Sequence, residues 1–170
     1  MLSSFQARLV PGVNAGYQPG LYKRTYTGYF DGDPAWFNTA TLLATSKVVG
    51  SINDGSIPNG RSIQFLGYFK APYTETFTFT MNTDDKGFLW VGTNALAANF
   101  NAGNVFIATN VNTVSNTVAL TAGQIYAFRI QVGNGPAGDG VINLSVSSPS
   151  LPVTSDLTQL SLFNPNTLGI

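Results

Sequence analysis

Cysteine and histidine are both missing from the 170 residues. The first absence excludes disulfides, thiolate metal sites and cysteine nucleophiles. The second removes the Ser-His-Asp triad, the commonest general base and the commonest zinc ligand. Glutamate occurs once, at Glu75, so the opposed carboxylates of a glycosidase would have to be drawn from seven aspartates. Two of the aspartate pairs, Asp31/Asp33 and Asp84/Asp85, are too local to flank a substrate. A non-enzymatic protein is expected. Charge is scarce as well, at 9% of residues against roughly 25% in ordinary soluble domains. Eight basic and eight acidic residues cancel, which leaves no basic field to attract nucleic acid or an anionic membrane. No apolar run approaches the roughly 20 residues of a membrane helix, so no membrane insertion is expected. MLSSFQARLVPG lacks the charged-then-apolar order of a secretory signal.

What is present is apolar and β-prone. The chain is 44% hydrophobic and 12% aromatic, enough for one domain with a real core. LYKRTYTGYF (21–30) reads as a strand, followed by the turn signals Asp31-Gly32 and Asp33-Pro34. Residues 35–50 fit a short helix or an irregular strand, and 51–60 read as a long loop. Ser62–Lys70, 116–120, 124–132 and 141–147 read as further strands. TETFTFTMNTDDKGFLWVG (74–92) reads as a hairpin: a Thr/Phe alternation, a turn at Asp84-Asp85-Lys86-Gly87, then an aromatic run. Phe77, Phe79 and Met81 share its core face. Strands of this length between Gly, Pro and Asn turns predict an antiparallel sandwich or barrel, with one face of each sheet on the core and the other wet.

Two nucleotide-type patterns fail on context. GSIPNGRS (55–62) has phosphate-loop spacing but Arg61 in the lysine position, a proline that removes an amide donor, and a strand-like run after it. GNGPAG (133–138) fits G-x-G-x-x-G but lies between strands, with no helix opening at its end. Both read as glycine-rich β-loops. Asp84-Asp85 admits two readings. One is a solvated turn. The other is a calcium seat, since calcium takes hard oxygen ligands and Asn82, Thr83 and the Asn-rich loops at 99–104 and 110–116 could supply more.

IQFLGYFKAPYTETFTFTMNTDDKGFLWVG (63–92) resembles the core of the PA14-domain family, of which GLEYA-type fungal adhesins are relatives. The matching elements are Gly67-Tyr68, Pro72, Thr76–Thr80, Thr83-Asp84-Asp85 and Leu89-Trp90. VALTAGQIYAFRIQVGNGPAGDGVINLSV (118–146) is similar to the family's Leu-Thr-Ala-Gly run, Asn/Gly loop and last strand, and GLYKRTYTGYFDG (20–32) to its opening segment. The resemblance spans about residues 20–148. It implies a two-sheet antiparallel β-sandwich, often a carbohydrate-binding module. It also implies that Asp84 and Asp85, joined by a cis peptide, hold a calcium ion that in turn holds sugar hydroxyls. Candidate ligand-binding residues beside them are Asn82, Trp90, Asn101, Asn104 and Asn134. Two departures stand out. Gly92-Thr93 occupies the place of the family's Asp-Gly, and Lys86 intervenes before Gly87, where its ammonium could pair with a carboxylate and replace the ion.

Residues 1–19 and 149–170 lie outside the resemblance and are expected as an N-terminal arm and a C-terminal tail. Their apolar side chains (Phe5, Leu9, Val10, Leu151, Leu157, Leu160, Leu162, Phe163) suggest docking on neighbouring subunits. With low charge, no cysteine and many Asn, Thr, Ser and Gly, this resembles phage virion proteins. The expectation is a structural or decoration protein of a virion, homo-oligomeric or built into a larger assembly, with cell-surface glycans as a further partner. Two alternatives stand beside it: a free calcium-dependent adhesin module at the cell surface or outside it, and an accessory glycan-binding domain of an enzyme complex.

Overall fold

A strand turns every second side chain to the same face, so the alternation Thr76–Met81 commits Phe77, Phe79 and Met81 to one side. All three are fully buried. The computed structural model describes residues 16–48 and 50–164. Its strands are β1 (Gln18–Pro19), β2 (Leu21–Thr27), β3 (Thr41–Val48), β4 (Asn53–Ile57), β5 (Arg61–Lys70), β6 (Glu75–Val91), β7 (Ile107–Leu120), β8 (Ile125–Asn134), β9 (Gly140–Ser148), β10 (Leu151–Thr154) and β11 (Ser161–Phe163). Short 3-10 turns occupy Pro34–Asn38, Gly92–Ala95 and Ala102–Asn104.

The strands join in one curled antiparallel sheet of order β1-β11-β5-β8-β6-β9-β10. β2 adds to β5 and carries β3, β7 adds to β6, and β4 adds to β9. The long strand β6 makes two layers of it. Along one edge β6 pairs with β7 throughout. Along the other it pairs with β9 over Thr78–Asp84, then with β8 over Lys86–Val91. The change of partner falls at Asp84-Asp85. Phe77, Phe79, Met81, Ile142, Leu144 and Val146 of one layer close on Phe65, Phe69, Phe128 and Ile130 of the other. Phe69 packs edge-on against Phe77 and Phe79, at 5.7 and 5.1 Å between ring centres. The expected all-β antiparallel sandwich is observed, with its two layers hydrogen-bonded through the shared strand.

Several local expectations differ from this structure. Residues 74–92 are one extended strand and not a hairpin, because the Asp-Asp-Lys-Gly step changes partners without reversing direction. Residues 110–116 are the middle of β7, held by β6. Within 51–60, β4 pairs with β9. Residues 35–50 divide into a 3-10 turn and β3. β8 is buried on both faces, because Pro34–Asn38 and the segment 92–105 cover the side that simple alternation leaves wet.

The segment after Ser148 folds back onto the chain's own sheet. β10 extends β9, and β11 lies between β1 and β5. Lys70 N donates to Leu160 O at 2.7 Å, and Gly20 N to Ser161 O at 3.0 Å. Leu157, Leu160 and Phe163 are buried within the chain, each burial worth about 1.5–3 kcal/mol. Of the apolar side chains expected to dock on neighbours, these three are covered by the chain itself, and Leu151 and Leu162 are half-buried. Phe5, Leu9 and Val10 lie outside the described residues.

Candidate functional site

Neighbours in a regular strand point to opposite faces. At the partner change in β6 the peptide bond between Asp84 and Asp85 is cis, and the two carboxyl groups stand within hydrogen-bond reach of each other. The Asp84 carboxyl is held above the usual carboxylate range, first by desolvation, then by the hydrogen bond and charge of Asp85. Asp85 Oδ2 accepts the backbone N–H of Gly135 at 2.7 Å. Behind the pair, the Thr83 hydroxyl donates to Asp85 O at 2.8 Å and lies 2.5 Å from the Thr109 hydroxyl of β7.

The loop after β8 forms the other wall. Asn134 is buried, and its Nδ2 donates to Ile57 O at 2.6 Å, Gly138 O at 2.9 Å and Asn59 Oδ1 at 3.2 Å. Among the described residues no donor reaches its Oδ1. Gly60 N donates to Asn134 O and Gly135 O at 3.0 and 3.1 Å, so the β4–β5 turn braces this loop. Glycine is required at two points by close approach. A Cβ on Gly135 would lie 2.9 Å from Asp85 Oδ2. A Cβ on Gly140 would lie 2.7 Å from Asp84 O, 2.7 Å from Asn134 Cβ and 2.9 Å from Asn134 Cγ. The backbones of β6 and β9 and the Asn134 side chain therefore meet around Asp84. The GNGPAG run is the holder of the aspartate pair.

Lys86 does not serve as its counter-ion. Its Nζ donates to Asp31 Oδ1 at 2.6 Å and Asp31 O at 3.2 Å. The ammonium is held in the 31–32 turn, beside a cleft of about 350 Å³ lined by Asp31, Lys86, Phe88 and Asn110 among others. Tyr29 stands close enough to feel both acids: burial, then the charges of Asp85 and Asp31, push its phenol up to about 12, so it stays a neutral hydroxyl.

The other expected ligand residues are elsewhere or already engaged. Trp90 is fully buried. Its Nε1 donates to Asn101 O at 3.1 Å and Asn104 Oδ1 at 3.0 Å, and its ring meets Phe88 and Phe100 edge-on. Asn101 and Asn104 form a reciprocal capping box around Ala102–Asn104. This cluster lies five residues along β6 from Asp85, roughly 16 Å at strand spacing. Trp90 is buried with its one donor spent, and Asn101 and Asn104 use amide groups in the cap, so these three candidates form a cluster of their own apart from the aspartates. Asn82 Oδ1 accepts from Thr113 of β7 at 3.2 Å. Of the five, Asn134 is brought to the aspartates from a distant strand, and Asn82 lies two residues before Asp84 on the same face of β6. The sequence reading missed Gly135, Gly140, Tyr29 and the Asp31–Lys86 pair. The signal for Gly135 lay in the GNGPAG run, set aside once its phosphate reading failed, and Gly140 follows two residues after it.

Comparison with known proteins bears on this geometry. Residues 61–148, from β5 to the end of β9, match the model of the GLEYA domain. The chain belongs to the GLEYA-domain family. The epithelial adhesin 6 A domain of Candida glabrata, solved with Galβ1-3GlcNAc, aligns at a TM-score of 0.77 and 22% identity, over 93% of this chain and 92% of that one. The epithelial adhesin 9 A domain of the same organism, solved with Galβ1-4GlcNAc, aligns at 0.68 and 14% identity, over 90% and 93%. A PA14 sugar-binding domain from an RTX adhesin aligns at 0.65 and 13% identity, over 86% and 99%. At these identities the likeness is one of fold. No curated protein matches the chain.

The residues of this GLEYA domain fit a calcium ion by their donor chemistry. Calcium takes about six to eight oxygens in a flexible shell. Two carboxylates, the Asn134 amide oxygen and the carbonyls of the 135–138 loop are all hard oxygen donors. No third acidic side chain joins the pair among the described residues, so a shell here is completed by neutral oxygens.

Proposed function

We propose that this GLEYA domain is a calcium-dependent carbohydrate-binding module of an adhesin, acting outside the cell or at its surface on glycans. The observation that carries the reading is the aspartate pair. Two carboxyl groups face each other, and the nearby ammonium, Lys86, is bound to Asp31 instead. Like charges at this separation are unfavourable unless one is protonated or a cation lies between them.

Asp84, Asp85 and Asn134 would hold the ion, which supplies a Lewis-acidic centre able to take sugar hydroxyls. The chain's own residues do the rest. Gly135 N orients the Asp85 carboxylate, Thr83 fixes the backbone beneath it, and Asn59 with Ile57 O anchors the Asn134 amide so that its oxygen stays available. The adhesin domains aligned above were solved with galactose-containing disaccharides, which supports a glycan as the ligand class. The expectation of a virion role rested on composition and on terminal segments as docking arms. The folding of β10 and β11 into the chain's own sheet removes that support over the described part.

Calorimetric titration of calcium into the wild type and an Asp84→Asn/Asp85→Asn variant tests the reading. Saturable binding is expected in the wild type, in roughly the 10⁻⁴–10⁻³ M range of extracellular calcium modules, and none in the variant. A glycan screen with and without chelator should then show hits only with calcium. Absence of calcium binding in the folded wild type sinks the proposal.

A further inference from the structure

Arg129 is buried where the fold offers it no acid. It lies on the face of β8 turned away from the main core, opposite Leu66 of β5 and Trp90 of β6. The side chain is 3% exposed. Its Nε donates to Ala95 O at 3.0 Å, and the guanidinium stacks 3.9 Å from the centre of the Phe100 ring. Among the described residues it has no ion-pair partner, and its terminal nitrogens make no hydrogen bonds. Buried charges are ordinarily paired, because desolvation is costly.

The nearest charge makes matters worse. Arg24 of β2 lines the same cleft, of about 210 Å³, together with Tyr26, Asn38, Gln64 and Phe100. Burial and the Arg24 charge bring the Arg129 guanidinium down to about 10, still cationic at neutral pH. Tyr26 OH donates to Gln64 Oε1 at 3.1 Å, which leaves the Gln64 Nε2 donors unused among the described residues. Asp33 lines the adjoining cleft and accepts Ala35 N. A clip that only fastened the 92–105 segment to the sheet would need Nε and the Phe100 stack. It would not need a second cation beside it.

We propose that this cleft is a subsite for a carboxylate group, seated on the paired guanidiniums of Arg129 and Arg24 and independent of the aspartate pair. A planar guanidinium fork matches a carboxylate bidentately. The carboxylate belongs either to a small free acid or to a uronic acid residue of a glycan. Arg129 and Asn134 are five residues apart on β8, roughly 16 Å, so the two sites can be occupied together.

The test follows the Nε–H resonances of the arginines by NMR in the full chain, in calcium-depleted buffer free of carboxylates so that the calcium reading plays no part. Galacturonate, galactose, acetate and sulfate are titrated separately. The expected result is a saturable shift of Arg129 with galacturonate and acetate and none with galactose. Tighter binding of galacturonate than acetate assigns the source as an acidic sugar; equal binding assigns a free acid. Arg24→Gln, at a partly exposed position that leaves the fold intact, should weaken binding about tenfold or more, as expected for loss of a charged hydrogen bond. Arg129→Lys, which keeps the charge but not the fork, should weaken it as well. Asp84→Asn/Asp85→Asn should leave it unchanged. No saturable shift with either acid, preference for sulfate over both, no effect of Arg24→Gln, or loss of binding in the aspartate variant would each overturn the proposal.

Discussion

The two ends of β6 treat their polar groups in opposite ways. At the Trp90 end, indole, two asparagine side chains and backbone carbonyls engage one another in a network closed around the buried indole. At the Asp84 end, two carboxyl groups face each other, one of them steadied by a single amide, while the neighbouring ammonium binds a different acid. Both ends carry residues that a sugar-binding reading favours. Hydrogen-bond accounting separates them: a satisfied network rigidifies a fold, and an unbalanced charge pair asks for a ligand.

Trp90→Ala should break the closed end. Truncating a fully buried aromatic typically costs about 3–5 kcal/mol, and denaturant unfolding should show a loss of that size. Calcium affinity of the protein that remains folded should be unchanged. If calcium binding vanished in the folded variant, the two ends would not be the separate units drawn here.

Gly140→Ala should break the open end with less harm to the fold. The new Cβ would press on Asp84 O and on Asn134 at 2.7 Å. Overpacking of this kind costs about 1–3 kcal/mol. The larger consequence falls on binding, because the two groups it displaces, the Asp84 backbone and the Asn134 side chain, belong to residues proposed to hold the ion. Calcium affinity by calorimetry should fall about tenfold or more. Wild-type affinity in this variant would remove Asn134 and the β9 edge from the site.

How much of this was legible in the sequence depended on whether a signal was local. The Thr/Phe alternation of β6 fixed a core face, and Phe77, Phe79 and Met81 are buried as it requires. Asp-Asp-Lys-Gly has the composition of a turn, and only the exchange of β9 for β8 along one edge keeps it extended. That is a tertiary fact with no local mark. The asparagines show the same limit. Asn101, Asn104 and Asn134 look alike in sequence. Two of them cap a 3-10 turn, while the third is anchored by Ile57 and Asn59, 77 and 75 residues away. The absence of an acid for Arg129 could not be read from a chain whose eight acids and eight bases balance.

The finest test of the contrast is acid. Desolvation and the neighbouring Asp85 raise the Asp84 carboxyl above its ordinary value, about 3.9 in an unfolded chain. A group raised in the folded state favours folding while it is protonated, and that contribution is lost as pH rises through the folded value. Without calcium, the wild type should therefore lose a little stability as pH climbs out of the carboxylate range, and Asp84→Asn should flatten this loss. Calcium reverses the sign, because it needs both carboxylates charged. The rise in melting temperature on adding calcium should be full at about pH 7 and should begin to shrink at a pH above the ordinary carboxylate range. The Trp90 end has no titrating group among its hydrogen-bond partners and should contribute nothing to either slope. A calcium-induced shift that stays constant from about pH 7 to about pH 4 would mean that Asp84 is not a ligand.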